Sequence, residues 1–386
     1  MRSPEQTRME QTAWRIAINA HLLSPEPGYR RAGIHHYISQ ILRHLPVDEE
    51  VMEYVVYTRA LDSVEPRPGL RVVSSSWPTE RRLTRILWEQ SAWPALIARA
   101  DFNLLHSMAF VTPILSSLPS VVTVYDLSFL HFPERFPTLQ RNYLQSQTRR
   151  SVRQAQRVIT ISEASRQDLH RFYGAPLEKI DVVVPGIDAG YRPLAAEEVK
   201  AFREQHGVQR PFVLHVGTLQ PRKNIPVLLR AVAGLGRDDL DLVLVGAKGW
   251  YYDEIFVEVE RLGLSGRVHF PGYVRDEALP FWYNAAAALV FPSVYEGFGM
   301  PILEAMACGT PVIAAFSSSI PEAGGEAARY YEPDDDSALA EHLGEVLEDG
   351  ELAARMSARG RQHASHFSWA RAGMETATVY IRVLGG

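Results

Sequence analysis

Residues 292–311 read P-S-V-Y-E-G-F-G-M-P-I-L-E-A-M-A-C-G-T-P, and this stretch decides the fold. The run before it, 285–291, is apolar enough for a buried parallel strand. Gly297 and Gly299 permit a sharp strand-to-helix turn, and Pro301 suits the first position of the helix that follows. Free backbone N–H groups at such a helix start face an anion. Glu296 and Glu304 stand eight residues apart on either side of the turn. Ionised carboxylates only accept hydrogen bonds, so this pair suits the vicinal hydroxyls of two rings, a sugar and a ribose. The competing reading is a Gly-rich turn flanked by solvated glutamates.

Working outward, the chain repeats one pattern twice. Residues 14–20, 53–58, 102–106, 121–125, 157–162 and 180–185 read as strands with helical patterns between several of them. A second series begins at residue 212, with strands at 212–217, 240–246, 268–271, 287–291 and 311–315. Helical patterns cover 225–235, 252–262, 276–285 and 302–308, and three more follow at 337–348, 351–367 and 369–383. Runs rich in Val, Ile and Leu and spaced by helices predict parallel sheets covered on both faces. The expected fold class is α/β, with two doubly wound Rossmann-like domains facing across a cleft. The expected division is a polar tail at 1–13, an N-terminal domain at 14–190, a linker region at 191–210 and a C-terminal domain with its closing helices at 211–386.

Composition excludes several classes. A chain of 386 residues with 46% hydrophobic and 22% charged content is globular with ample core. The tail lacks the apolar core of a signal peptide, and no apolar run approaches the ~18 residues that cross a bilayer. Cys308 is the only cysteine, so a thiol-built metal site and an intrachain disulfide are ruled out, and it reads as a packed small residue. The expected location is cytoplasmic. Net charge is −5, with the acidic excess in the second half, which argues against a nucleic-acid partner. Within the more basic first half, E-R-R-L-T-R-I-L-W-E-Q at 80–90 mixes arginines with Leu83, Ile86, Leu87 and Trp88. That mixture suits peripheral contact with anionic lipid at the inner membrane face, and the rival reading is a surface helix with its apolar side buried.

Strand 212–217 ends in Gly217 and Thr218, and L-Q-P-R-K-N follows, placing Arg222 and Lys223 at a strand's carboxyl edge before a helix. Two cations at a helix start form a phosphate clamp; the rival reading is a solvated pair capping a loop. Lysine is scarce, occurring only as Lys179, Lys200, Lys223 and Lys248, so its placement beside Arg222 carries weight. Neither a G-x-G-x-x-G after this strand nor a P-loop is present. In the first half, strand 121–125 ends in Asp126, an acid positioned to orient or deprotonate an acceptor hydroxyl, or else to brace its loop. His106 and His131 near strand ends read as structural histidines. Gly33 precedes a helix and lets backbone approach a phosphate, though taken alone a plain helix-start glycine explains it better. Asp239 with Asp241, and Asp334 to Asp336, spell D-x-D, but each sits where capping or solvation accounts for it, so no metal and no cofactor are expected.

These motifs resemble the retaining glycosyltransferases of the GT-B fold, in the large family 4 that includes bacterial mannosyltransferases. The E-x7-E stretch is the most specific part, supported by V-G-T-L-Q-P-R-K-N, F-P-G-Y-V and V-I-T-I-S-E-A-S. By that resemblance Arg222 and Lys223 bind the donor diphosphate, Glu304 the ribose and Glu296 the transferred sugar. Gly297, Phe298, Gly299 and Met300 contact sugar and phosphate through backbone, Val274 lies by the base, and Gly33 approaches the diphosphate from the other domain. Two departures stand out. Thr218 replaces a frequent arginine, and Tyr125 stands where many members carry a histidine that assists the reaction, leaving Asp126 as the first-domain candidate. The implied activity moves a hexosyl group, mannosyl or glucosyl, from a UDP- or GDP-sugar to a hydroxyl of a glycan or lipid-linked acceptor, with retention and without metal. GDP-mannose is the donor toward which the resemblance tilts. The alternatives are another GT-B chemistry, such as a nucleotide-sugar epimerase or a phosphorylase, and a non-catalytic nucleotide-sugar binder.

Overall fold

The computed structural model describes residues 13–24, 33–249 and 252–385, so the expected tail lies outside it apart from its last residue. Among the described residues, strands β1 (Trp14–Asn19), β2 (Met52–Thr58), β3 (Leu70–Ser74), β4 (Leu104–Ser107), β5 (Ser120–Thr123), β6 (Arg157–Thr160) and β7 (Ile180–Val182) form one sheet. Strands β8 (Phe212–Val216), β9 (Asp241–Val245), β10 (Val268–Gly272), β11 (Ala288–Phe291), β12 (Val312–Ala315) and β13 (Arg329–Tyr331) form the second. The orders are β3-β2-β1-β4-β5-β6-β7 and β10-β9-β8-β11-β12-β13. Every named strand pair is parallel.

The apolar runs become strands because both faces are covered. All of β8, β9 and β11 is buried, and Leu228, Leu242, Val290, Leu339 and Leu343 belong to one continuous core of the second unit. β3 and β13 had no counterpart in the sequence reading. Each is the outermost strand on one side of its sheet, partly exposed and only 5 or 3 residues long, so neither carries an apolar run. Helix ends follow local chemistry. Ser162 caps Glu163–Tyr173 by accepting the Ser165 N–H at 3.1 Å, and Gly174 closes that helix at φ 66°, a cap worth about 1 kcal/mol.

The chain divides into two compact units, Met1–Val184 with Trp369–Gly386, and Pro185–Ser368. This differs from the expected division at two places: the segment from Pro185 to residue 210 joins the second unit, and the helix Trp369–Leu384 joins the first rather than the C-terminal domain. Amphipathic periodicity shows that a helix needs a core but not which one, and the reason lies in specific contacts. Tyr380 Oη meets buried His106 Nδ1 at 2.7 Å, Arg382 pairs with Asp181 at 2.7 Å, and Trp369 packs edge-on to Tyr37. A Cβ on Gly373 would lie 2.1 Å from the His44 carbonyl oxygen, so only glycine permits that approach. Among the described residues, no helix is long and apolar enough to cross a membrane.

Candidate active site

Each sheet has one point where its chain order reverses, and ligands of open α/β sheets bind outside the strands' carboxyl ends there. In the second unit that point falls between β8 and β11. Arg222 and Lys223 follow β8 in a 3-10 turn, Pro221–Lys223, and Asn224 at φ 50° redirects the chain into helix Ile225–Gly234. Glu296 follows β11, four residues before helix Met300–Cys308. The two loops meet. The Glu296 carboxylate accepts a hydrogen bond from Arg222 Nη1 and another, at 2.6 Å, from Lys223 Nζ.

This cluster is buried, with Lys223 6% and Glu296 9% exposed, which removes the solvated-pair reading. Burial alone raises the Glu296 pKa, but the charges and hydrogen bonds of Arg222 and Lys223 prevail and hold it at about 2. Desolvation, reinforced by Arg222, lowers the Lys223 pKa, while Glu296 opposes the shift. The ammonium also sits 4.8 Å from the centre of the Phe291 ring. Glycine at the end of β8 makes room for it: a Cβ on Gly217 would fall 2.9 Å from Lys223 Cε. Behind it His215, buried, accepts no proton near neutrality, its pKa pushed to about 3 by burial and then by Lys223.

The turn carrying Glu296 is itself held. Ser318 Oγ accepts the Glu296 N–H at 2.9 Å, and Ser319 Oγ lies 2.9 Å from the carbonyl oxygens of both Glu296 and Phe298. Gly297, Phe298, Gly299 and Met300 therefore run along a braced path into Met300–Cys308. Gly299 takes φ 128°, where a side chain is strained, and a Cβ there would also press on Ala323 Cβ at 3.2 Å. One helical turn in, Glu304 accepts the Tyr283 hydroxyl at 2.6 Å, and Tyr283 packs against Tyr191. Thr218 is half-buried beside Gly217, and Val274 is half-buried in the loop after β10. Sequence reasoning missed His215, Tyr283 and the serines 317–319; only the S-S-S run at the end of β12 offered a signal.

The first-unit candidates fare differently. Tyr125 is no substitute for an imidazole: it is 3% exposed, donates to the Met108 carbonyl at 2.7 Å, and packs against Tyr37 and Phe110. Asp126 Oδ1 accepts the Ser128 N–H at 2.8 Å, a turn-bracing bond, and its strand β5 lies one strand beyond the reversal between β1 and β4. Gly33, at φ 61°, starts helix Ile34–His44, and among the described residues nothing lies within 4 Å of where a Cβ would stand. His106 is structural, held between Tyr380 and Thr123, and His131 pairs with Asp168 at 2.7 Å. Cys308 is buried, its thiol pushed up to about 12 by burial. As for the D-x-D sequences, Asp239 pairs with Arg237, Asp241 with His269, Asp336 with Arg230, and Asp335 caps Asp336–Glu348.

Residues 197–363 match the family model described as Glycosyl transferases group 1, and residues 32–191 match Glycosyltransferase Family 4. The chain belongs to these group 1, family 4 glycosyltransferases. It is 34% identical over 265 residues to an O-antigen chain mannosyltransferase B of Escherichia coli, covering 68% of this chain and 70% of that one. It is 35% identical over 248 residues to a D-inositol 3-phosphate glycosyltransferase of Streptomyces scabiei, an alignment that takes in 60% of this chain and spans about half, 55%, of that relative. Among solved structures, Anabaena HepE in complex with UDP and glucose superposes with TM-score 0.73 at 21% identity, over 95% of this chain and 99% of that one. The fold is GT-B.

Proposed function

We propose that this glycosyltransferase moves a hexosyl group, mannosyl or glucosyl, from a UDP- or GDP-sugar to a hydroxyl of a glycan or lipid-linked acceptor, retaining the anomeric configuration and using no metal. The observation that carries the reading is the buried Arg222–Glu296–Lys223 cluster at the sheet's reversal point. Two cations face one carboxylate, which leaves a net positive charge beside the start of helix Met300–Cys308 for a diphosphate. As the glycosidic bond breaks, the sugar becomes oxocarbenium-like and the leaving diphosphate gains negative charge. Fixed cations in a site of low polarity stabilise that charge without reorganising. Glu296, held by both cations, offers its remaining lone pairs to the sugar hydroxyls, Glu304 takes the ribose hydroxyls, and the backbone at 297–300 and 274 lines sugar, phosphate and base. The UDP and glucose in the HepE complex support a nucleotide-sugar donor, and the mannosyltransferase relative supports a hexosyl group.

Transfer from UDP- and GDP-sugars to a glycan acceptor panel, with the product anomer read by proton NMR and with EDTA present, tests this directly. Retained configuration and undiminished rate in EDTA are expected. An inverted product, or activity restored only by Mg²⁺ or Mn²⁺, contradicts the corresponding part, and epimerised donor or free sugar phosphate points to the rival GT-B chemistries.

A peripheral contact with anionic membrane is favoured by one feature of the first unit. On helix Arg82–Leu87 the apolar residues divide: Leu83 is 76% and Leu87 60% exposed and Ile86 is half-buried, while Trp88, just past the helix, is packed into the unit's core and is not available to a membrane as the sequence reading expected; Leu115 at 80% and Leu139 at 87% are exposed elsewhere in the unit. Arginines 81, 82 and 85 share that segment, the charge that phosphatidylglycerol attracts. Flotation with phosphatidylglycerol vesicles, lost on raising salt, is expected; absence of flotation contradicts it.

A further inference from the structure

The first unit has its own reversal point, between β1 and β4, and the donor cluster uses none of it. β1 ends in Asn19, whose Nδ2 donates to Glu89 Oε1 at 3.2 Å. Glu89 reaches that strand end from a π-turn, Trp88–Ala92, inserted between the helices Arg82–Leu87 and Trp93–Ile97. Such turns widen a helix at the cost of regular hydrogen bonding and recur at functional sites. The carboxyl is 12% exposed, with Arg85 Nε at 3.9 Å. Burial lifts its pKa to about 7, against the pull of Arg85 and the Asn19 hydrogen bond.

Around it lie polar atoms that burial should have paired. Helix Thr138–Gln154 brings Tyr143, Gln147 and Arg150 along one face, at spacings of four and three residues. The Tyr143 phenol is pushed up to about 12, first by burial and then by Glu89, and Gln90, next to Glu89, donates to the Thr112 carbonyl at 3.3 Å. Arg150 Nη2 donates to the Thr112 carbonyl at 2.8 Å, in the loop after β4. Yet Tyr143 Oη, Gln147 Oε1, Arg150 Nε and Nη1, Thr112 Oγ1, Ser107 Oγ at the end of β4, and His21 Nε2 just beyond β1 are buried with no hydrogen-bond partner among the described residues. His21 is neutral, its pKa driven to about 3 by burial and by Arg85 and Arg59, and its ring stacks edge-on against Trp88 at 4.1 Å. Donors and acceptors are interleaved here, with one carboxyl among them. Vicinal hydroxyls, each able to donate and accept, match that arrangement better than an apolar group.

We propose that Glu89, Asn19 and Tyr143 at the β1–β4 reversal point form a binding site for the hydroxyls of a sugar or cyclitol acceptor, with Glu89 accepting a hydrogen bond from one of them. The proposal rests on the glycosyltransferase reading above and assigns the acceptor side to a residue that no motif marks. It replaces Asp126, whose carboxylate braces its own turn.

The test uses the full chain and the variants Glu89→Gln and Tyr143→Phe, each near-isosteric with the residue it replaces. UDP and GDP affinities are measured by calorimetry, and methyl α-D-mannopyranoside and myo-inositol are then titrated into the nucleotide-saturated protein, with binding read by saturation-transfer NMR. At least one of the two probes is expected to bind the unaltered protein, with affinity falling by at least about fivefold in both variants while nucleotide affinity stays within about twofold. Equal probe binding in all three proteins overturns the proposal, as does failure of both probes to bind a protein that binds nucleotide. Absence of nucleotide binding overturns the donor-site reading, and this proposal with it.

Discussion

The two sheets end in carboxyl edges of opposite character. At the β8–β11 edge the charges are already assembled: Arg222 and Lys223 both hold Glu296, and serines 318 and 319 fix the turn that carries it. At the β1–β4 edge, Glu89 has Asn19 and a distant Arg85, and a string of buried polar atoms has no partner among the described residues. A site that stabilises charge developing during a reaction gains from being built beforehand, since reorganisation then costs nothing at the moment of bond breaking. A site that only selects a partner can leave its polar groups to be completed by that partner, because the unpaired groups then penalise the wrong one.

The comparison breaks most visibly if the second edge is not pre-assembled. Glu296→Ala leaves a buried lysine and an arginine facing each other, and unfolding in urea should show a loss of about 3 kcal/mol, with transfer reduced beyond about a hundredfold. A fully stable variant would mean the cations are hydrated and the cluster is not a unit. Acid probes the same cluster without mutation. The Glu296 pKa is depressed from 4.5 to about 2, so its contribution to stability is present above pH 4.5 and is lost as pH falls toward 2. Relative to the unaltered protein, a Glu296→Gln variant should therefore show a flatter decline of melting temperature across that window; parallel curves would contradict the assignment.

Smaller effects separate the roles within the edges. Glu304→Ala should weaken donor binding about tenfold, roughly 1.4 kcal/mol, with turnover at saturating donor little changed, because the ribose does not change charge in the reaction. Calorimetry with UDP and GDP checks this. Asp126→Asn should alter transfer by less than about threefold, roughly 0.6 kcal/mol, since asparagine can still accept the Ser128 N–H. A hundredfold loss would return the acceptor role to Asp126 and take it from Glu89.

The second edge was legible because its parts are contiguous: R-K follows one strand, and E-G-F-G followed by a helix carries the rest. Buried strands announced themselves as well, through unbroken apolar runs. The first edge was not legible. Glu89, Tyr143 and Asn19 come from three elements whose meeting depends on a crossover helix and its π-turn, and a glutamate between Trp88 and Gln90 looks in sequence like any surface residue. Asp126 drew attention because it ends an apolar run, a pattern that a turn-bracing aspartate shares. The destination of helix Trp369–Leu384 was illegible for a related reason: His106, Asp181 and His44, which receive it, are scattered over the first half of the chain.

The central claim is that Arg222, Lys223 and Glu296 form the donor diphosphate site, and a thermal-shift titration of the unaltered protein and Lys223→Ala with UDP- and GDP-sugars tests it most directly. The account predicts that one nucleotide sugar stabilises the unaltered protein, by about 2.7 kcal/mol at a hundred times its dissociation constant, and that the same concentration stabilises Lys223→Ala by at least about 1 kcal/mol less. Equal stabilisation of both proteins, or none of the unaltered protein by any UDP- or GDP-sugar, would contradict it.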